Sequence, residues 1–140
     1  MGTIRRLNKR NVFIVDDSPL YREIISNELK GISNIDISTY DSAENCLKNM
    51  DNEPSLIILD FYLDGENSEN MNGHFAMQQF RKLKKCPQIL FVSSVHNEEL
   101  LMEYSRYRDV DFILKSELGT SRTTRKIEEK LSETYVTHFQ

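Results

Sequence analysis

The chain has very little cysteine: Cys46 and Cys86 are the only 2 among its 140 residues. Two cysteines are too few for a disulfide framework, so a reduced, cytoplasmic protein is the simpler interpretation. Long apolar runs are also missing, because no stretch approaches the ~20 residues of a membrane span and the N-terminus lacks a signal-peptide core. Positive charge is not in excess either, since the net charge of −4 gives no reason to expect nucleic-acid binding.

The composition is that of an ordinary globular domain, with 39% hydrophobic and 29% charged residues. A chain of 140 residues fits one domain and is long enough to bury a real core. We expect residues 1–10 to form a short, basic and flexible lead-in, and residues 11–137 to form the domain. No DNA-binding or enzymatic output segment is expected after it in this chain.

Five short segments carry the pattern of β-strands. Four are apolar runs bounded by polar residues, typical of buried strands in a parallel sheet, and they lie at 12–15, 56–59, 89–92 and 112–114. The fifth, at 35–38, alternates apolar and polar residues, as a more exposed strand should. Helical patterns separate the strands. We therefore predict an α/β fold, a doubly wound five-stranded parallel sheet with helices on both faces.

The first helix has the clearest start signal. Ser18 fits an N-cap, and Pro19 fits the first helical position, where proline is favoured. The predicted apolar stripe of this helix consists of Leu20, Ile24, Ile25 and Leu29. The helix therefore starts directly after the first strand, at the edge where that strand ends.

Polar and charged residues stand where the buried strands end. They are Asp16 and Asp17 after the first run, Asp60 after the second, Ser93 after the third and Lys115 after the fourth. Ligands of parallel α/β sheets bind beyond the carboxyl ends of the strands, so we expect these side chains to converge. Three carboxylates at one edge repel one another unless a cation lies between them, and such oxygen ligands suit Mg²⁺. The sequence therefore predicts an acidic, Mg²⁺-binding site with one hydroxyl and one ammonium group beside it.

This constellation resembles the receiver domain of two-component response regulators, a flavodoxin-like (βα)5 fold, over almost the whole chain. The resemblance implies that Asp60 accepts a phosphoryl group from a phosphohistidine of a histidine kinase or histidine phosphotransfer protein and that the domain hydrolyses it slowly. It also implies Mg²⁺ as the cofactor. Asp17 would be a direct ligand and Asp16 a direct or water-mediated one, while Asp60 and the backbone carbonyl of Tyr62 would complete the set.

Three further residues have roles that the same resemblance implies. Ser93 is expected to hydrogen-bond a phosphoryl oxygen, and Lys115 to pair with Asp60 at rest and with the phosphate afterwards. Ser93 and Phe112 would form a conformational switch that reports to the surface of the fourth helix, the fifth strand and the last helix. Simple core packing is an equally good interpretation of Phe112.

The sequence departs from the usual receiver pattern in three places. The turn at 71–73 resembles the Met-Asp-Gly-like turn of receivers but lies further from Asp60, because the polar stretch 66–70 is extra. Ser116 takes the place of the proline that is common after the strand-end lysine, so a cis peptide bond there is not strongly favoured. Phe112 stands where many receivers have a tyrosine and lacks its hydroxyl group. We expect an extended loop beside the site and a switch without a hydroxyl-mediated contact.

Two other interpretations stay open at this stage. A Mg²⁺-dependent phosphatase with an Asp nucleophile shares the strand-end Asp and Lys, although that class usually has a second acid two residues later, where Tyr62 stands here. The chain could also be a receiver module cut from a hybrid histidine kinase. The sequence names neither the cognate kinase nor the output partner, and it leaves open a dimer that forms on phosphorylation.

Overall fold

The computed structural model of the chain describes residues 9–62, 73–83 and 85–138. Within these residues, parallel strands form one sheet, with β1 at Arg10–Val15, β2 at Ile35–Tyr40, β3 at Pro54–Asp60, β4 at Gln88–Ser93 and β5 at Val110–Leu114. Their order is β2-β1-β3-β4-β5, so β3 is central and the winding reverses between β1 and β3. In sheets of this kind, ligands bind at that reversal. Most of the predicted lead-in and the extra stretch 66–70 lie outside the described residues.

The α-helices of the described residues connect these strands. They are α1 (Pro19–Leu29), α2 (Ala43–Leu47), α3 (Gly73–Arg81), α4 (Glu98–Tyr104) and α5 (Ser121–His138). Helices α1 and α5 cover one face of the sheet, and α2, α3 and α4 cover the other. None of the described helices combines the length and the apolar character needed to cross a membrane. The predicted doubly wound α/β fold is confirmed.

Each central strand sends alternate side chains into two separate cores, as the two-residue repeat of a strand requires. In β1, Phe13 and Val15 pack with α2, α3 and α4, whereas Val12 and Ile14 pack with α1 and α5. All four side chains are completely buried. Burial on both faces explains why these strands are continuous apolar runs in the sequence. The edge strand β2 is less buried, as its alternating pattern predicts.

Polar N-caps determine where three of the helices begin. Ser18, Ser42 and Asn97 each accept a hydrogen bond from the backbone N–H three residues further on. The cap at Ser18, followed by Pro19, is the predicted start of α1. It matters most for the site, because α1 starts directly behind the acidic pair.

The prediction for Leu20 is wrong. This side chain is 62% exposed, whereas Ile25 and Leu29 of the same helix are buried. At about 100° per residue, Leu20 lies about 140° around the helix from Ile25, so it does not share the inner face. Tyr21, one position later, lies only about 40° from Ile25 and is the side chain that this period turns inward.

The ordered domain begins slightly earlier than predicted. Arg10 belongs to β1, and its guanidinium donates a hydrogen bond to the backbone carbonyl of Leu131 in α5. Lys9 forms an ion pair with Asp36 at 3.6 Å. The last two residues of the basic lead-in are therefore attached to the domain.

Candidate functional site

The polar strand ends converge at the carboxyl edge of the sheet, as the sequence predicts. Asp60 and Ser93 are the last residues of β3 and β4, and Asp16 and Lys115 come directly after β1 and β5. Asp16, Asp60 and Ser93 are all buried. Buried carboxylates need partners, because an isolated buried charge costs several kcal/mol of folding free energy.

Lys115 provides the positive charge between the two buried carboxylates. Its Nζ lies 3.3 Å from Asp16 Oδ2 and 3.4 Å from Asp60 Oδ2. The side chain of Lys115 is only 12% exposed, so little water screens these contacts. The structure thus contains an ion pair between Lys115 and Asp60, and Lys115 also pairs with Asp16. The peptide bond after Lys115 is trans, as are the others among the described residues.

Backbone groups fix the orientation of both carboxylates. Tyr62 N–H donates to Asp60 Oδ1 at 3.1 Å, and Ser18 N–H donates to Asp16 Oδ1 at 2.9 Å. The other oxygen of Asp16, Oδ2, is completely buried and accepts no hydrogen bond from the described residues, because Lys115 meets it as an ion pair outside hydrogen-bond geometry. A buried oxygen in this condition is suited to a further cationic partner.

The surroundings shift the pKa values of Asp60, Asp16 and Lys115. Burial is the largest cause, and with the charge of Asp16 it raises the pKa of Asp60 from 3.8 to about 6. Burial also raises the pKa of Asp16, although the Ser18 N–H and Lys115 oppose it. For Lys115, burial alone would lower the pKa, but the charges of Asp60 and Asp16 outweigh it and the pKa rises.

Asp17 adds a third carboxylate on the exposed side of the site. One oxygen each of Asp16, Asp17 and Asp60 lie within 4.8 Å of one another. Around an octahedral Mg²⁺ ion, neighbouring ligand oxygens are about 2.9 Å apart and opposite ones about 4.2 Å, so these three oxygens would share one ion after they move closer together. The donors are all hard oxygen ligands, and the exposure of Asp17 leaves room for the waters that Mg²⁺ keeps. These residues fit Mg²⁺.

The hydroxyl group of Ser93 is engaged with its own loop. It donates to the backbone carbonyl of Val95 at 2.9 Å and accepts the Val95 N–H at 3.1 Å. To donate to a phosphoryl oxygen, Ser93 must give up its bond to the Val95 carbonyl. The predicted role of Ser93 therefore requires a local change in the loop after β4.

Phe112 packs into a cluster of aromatic rings between the sheet and α4. Its ring centroid lies 5.1 Å from that of Phe91, 5.5 Å from that of Tyr104 and 5.8 Å from that of Phe61. Tyr104 is buried, and its hydroxyl contacts His74 Nδ1 at the start of α3. In this structure Phe112 is thus a packing residue, and any rotation of its ring would disturb both α4 and the residue that follows β3.

The loop that leaves β3 is closed at its base by a tight backbone contact. Gly73 N–H donates to the carbonyl oxygen of Phe61 at 3.2 Å, and a Cβ on Gly73 would lie 2.5 Å from that oxygen. Only glycine fits here without movement of the backbone. Gly73 is the first residue of α3, and residues 63–72, which include the rest of the predicted turn, lie outside the described part of the chain.

We expect Gly73→Ala to lower the free energy of unfolding by about 1–3 kcal/mol, the usual range for overpacking, because the clash is with backbone and not with a movable side chain. Gly31→Ala is the matched control, since a Cβ there would meet nothing within 4 Å. Urea denaturation of both variants measures the difference. Equal stability of the two variants would contradict the close approach.

Two residues of α1 contact the site and were not predicted from the sequence. Lys115 Nζ lies 4.0 Å from the centroid of the Tyr21 ring, and Arg22 Nη1 donates to the backbone carbonyl of Asp16 at 2.7 Å. The helical period carried a signal for Tyr21, because it places this residue on the inner side of α1. No pattern in the sequence marks Arg22 for its bond.

Many solved structures share this fold, and three of them are receiver or response regulator domains from different organisms. The CheY-like response regulator receiver domain protein from Methanospirillum hungatei JF-1 is 20% identical with a TM-score of 0.75, and the match covers 93% of this chain and 99% of that one. The signal receiver domain of an HD domain-containing protein from Pseudomonas fluorescens Pf-5 is 10% identical with a TM-score of 0.80, covering 100% and 99%. The response regulator domain of Thermotoga maritima CheB is 22% identical with a TM-score of 0.68, covering 91% and 96%. At these identities the likeness shows the fold.

The family follows from the sequence itself. No curated protein sequence gives a significant match. The family model described as the response regulator receiver domain matches residues 12–127, which include every strand end of the site. The chain therefore belongs to the response regulator receiver domains of two-component signalling.

Proposed function

We propose that this receiver domain takes a phosphoryl group onto Asp60 from the phosphohistidine of a histidine kinase or histidine phosphotransfer protein. The position of Asp60 carries the proposal: its carboxylate ends the central strand, beside the acidic pair and 3.4 Å from Lys115 Nζ. With a pKa of about 6, Asp60 is mostly ionised at neutral pH and able to attack phosphorus. Catalysis of such a transfer depends mostly on positioning and electrostatic stabilisation, and the acidic pair and Lys115 beside Asp60 would provide both.

The proposed cofactor is Mg²⁺, held by Asp16, Asp17, Asp60 and the backbone carbonyl of Tyr62. When bound, the ion neutralises the carboxylates and the oxygens of the transferring phosphoryl group. Asp17 would bind it directly and Asp16 directly or through water, using an Oδ2 that accepts no hydrogen bond from the described residues. Lys115 would first neutralise Asp60 and then pair with the phosphoryl oxygens that Asp60 carries.

Acetyl phosphate, a small-molecule phosphoryl donor, separates this function from that of a phosphatase. With Mg²⁺ we expect the intact mass to show one added phosphoryl group per chain, and we expect no sustained turnover of p-nitrophenyl phosphate. Tyr62, at the position where phosphatases usually have their second acid, supports this expectation. Sustained turnover without a labelled protein would instead support the phosphatase.

Asp17→Ala is expected to weaken Mg²⁺ binding by at least about tenfold. Loss of a residue that only hydrogen-bonds a metal ligand already costs about that much affinity, and Asp17 is proposed to be a ligand itself. The domain should stay folded, because Asp17 is exposed. Titration calorimetry with Mg²⁺ measures the affinity. Asp36→Ala is the control, since Asp36 is exposed on the edge strand and pairs only with Lys9 among the ion pairs of the described residues. An unchanged affinity in Asp17→Ala would reject its role as a ligand.

The proposed output surface is the one formed by α4, β5 and α5. A cavity of about 180 Å³ opens there, and Ser93, Phe112 and Lys126 are among its lining residues. Val95, which also lines it, is 54% exposed, and Met102 of α4 is 76% exposed. Ser93 and Phe112 both line this cavity. A hydrogen bond from Ser93 to a phosphoryl oxygen would therefore change the surface that an output partner contacts.

Ser93→Ala is expected to be phosphorylated but to respond less to beryllofluoride, a stable mimic of the phosphoryl group. A hydrogen bond from Ser93 to a charged oxygen contributes about 1.5–3 kcal/mol, enough to make a minor conformation dominant. Amide chemical shifts of residues 95–107, with and without beryllofluoride, measure the response. Ser94→Ala is the matched control, because Ser94 is exposed. Equal responses of wild type and Ser93→Ala would leave Ser93 without a switching role.

The proposal also covers the residue limits of the domain and its location in the cell. We propose that the domain begins at Arg10, the first residue of β1, and extends through α5 to about residue 137, and the family match at 12–127 supports these limits. A cytoplasmic location is supported by the free thiols of Cys46 and Cys86, since a reducing compartment keeps cysteines unpaired.

A further inference from the structure

We propose that Tyr21 is a positioning residue that holds the ammonium group of Lys115 in the phosphorylation site through the face of its aromatic ring. The observation is a cation–π contact in which Lys115 Nζ lies 4.0 Å from the ring centroid of Tyr21. Cation–π attraction acts within about 6 Å of the centroid. The inference rests on the proposed roles of Asp60 and Lys115 and identifies the group that keeps the lysine in place.

Three described groups lie close to this ammonium group. Asp16 Oδ2 and Asp60 Oδ2 are 3.3 and 3.4 Å from Lys115 Nζ, and the ring centroid of Tyr21 is 4.0 Å from it. A polar side chain in place of the ring would compete with the carboxylates for the three N–H donors of the ammonium group. A ring face attracts the cation without accepting a directed hydrogen bond of comparable strength.

The backbone of Tyr21 is itself held close to the acidic pair. Its N–H donates to the N-cap Ser18 at 3.3 Å, in the first turn of a helix that starts with Pro19. The next residue, Arg22, donates to the backbone carbonyl of Asp16 at 2.7 Å. The ring therefore stands on a fixed part of the chain, whereas Lys115 reaches the site from β5 on a flexible four-carbon stem.

Restriction of this stem matters because one ammonium group has two successive tasks. It neutralises Asp60 before transfer and the phosphoryl oxygens afterwards. Without the ring, Lys115 would spend more time on Asp16 alone or in solvent, and fewer molecules would be ready for transfer. Cation–π contacts are strong enough that removal of the ring would lower the fraction of molecules ready for transfer about two- to thirtyfold. The loss should occur when the ring of Tyr21 is removed and not when only its hydroxyl group is removed.

The experiment compares Tyr21→Leu, which removes the ring, with Tyr21→Phe, which removes only the hydroxyl. Tyr107→Leu is the matched control, because the Tyr107 ring faces Arg81 at 4.4 Å and Arg106 at 5.1 Å instead of Lys115. One readout is the carbon–proton NMR signal of the methylene group next to the Lys115 ammonium, which a ring face shifts upfield. The other is the second-order rate constant of phosphorylation by acetyl phosphate with Mg²⁺.

We expect Tyr21→Leu to lose the upfield shift and to be phosphorylated about fivefold more slowly, within the range of a cation–π contact. Tyr21→Phe and Tyr107→Leu should keep both properties of the wild type. A wild-type rate in Tyr21→Leu, an equally slow Tyr21→Phe, or a wild-type protein without the upfield shift would each overturn the inference. The last of these needs no variant to fold. Failure of acetyl phosphate to label even the wild type would contradict the function proposed for Asp60, and this inference would fall with it.

Discussion

Asp60→Asn is expected to stabilise the Mg²⁺-free domain at pH 7 by about 2–3 kcal/mol. Burial and the charge of Asp16 raise the pKa of Asp60 from 3.8 to about 6, so the ionised form is disfavoured in the folded state. Each pKa unit corresponds to about 1.36 kcal/mol, and the side chain is buried deeply enough that water screens little of this. Asparagine keeps an oxygen for the Tyr62 N–H and removes the charge. Urea denaturation of both proteins measures the gain.

The pH dependence of this gain has a definite sign. The folded domain keeps the Asp60 proton up to about pH 6, whereas the unfolded chain releases it near the ordinary value of 3.8. Between these values the folded state binds more protons, so the free energy of unfolding of the wild type falls as the pH rises. The advantage of Asp60→Asn should therefore be small below pH 4, grow through that window and be complete near pH 7. An advantage that stays constant between pH 4 and pH 7 would contradict the raised pKa.

Lys115→Met should cause the largest loss of stability, about 3 kcal/mol at pH 7. Methionine preserves the length and the packing of the stem but leaves Asp16 and Asp60 buried without their counterion, and breaking a buried ion pair on one side is strongly destabilising. The loss should shrink toward pH 4. Both carboxyl groups have raised pKa values, so they become protonated as the pH falls, and a neutral carboxyl group does not need the counterion. Urea denaturation at the two pH values measures it.

The control for Lys115→Met is Lys126→Met. Lys126 pairs with Asp111 at 3.5 Å, but both side chains are about a third exposed, so this change should cost less than about 1 kcal/mol. Combining Lys115→Met with Asp60→Asn should recover part of the loss, because the two residues interact directly. Equal losses in Lys115→Met and Lys126→Met would show that the buried carboxylates do not depend on Lys115.

The strands and the convergence of the acidic residues could be predicted because two-sided burial leaves an unmistakable sequence pattern. The runs at 12–15 and 56–59 are apolar on both faces of the sheet, and the first polar residue after each marks the strand end. Asp16 and Asp60 had to meet once the strands were parallel and adjacent. Local chemistry likewise placed the start of α1 at Ser18, since an N-cap acts within one helical turn.

The contacts of Lys115 with Asp16 and Tyr21, and the aromatic packing around Phe112, could not be predicted, because they join side chains from distant elements. The sequence places Lys115 at the same edge as Asp16, but only the packed structure shows that one ammonium group bridges two carboxylates. The contact between His74 and Tyr104 joins α3 to α4, and no local period marks it. The apolar stripe predicted for α1 includes Leu20, but the phase of the helix assigns the inner position to Tyr21 instead.

Chemical trapping tests most directly whether Asp60 itself accepts the phosphoryl group. The wild type is incubated with acetyl phosphate and Mg²⁺, and borohydride then reduces any acyl phosphate to a homoserine residue, which peptide mass spectrometry locates. Asp60→Asn, treated in the same way, is the control. We expect homoserine at position 60 of the wild type and no trapped residue in Asp60→Asn. Homoserine at position 16 or 17 of the wild type, or equal trapping in the variant, would contradict it.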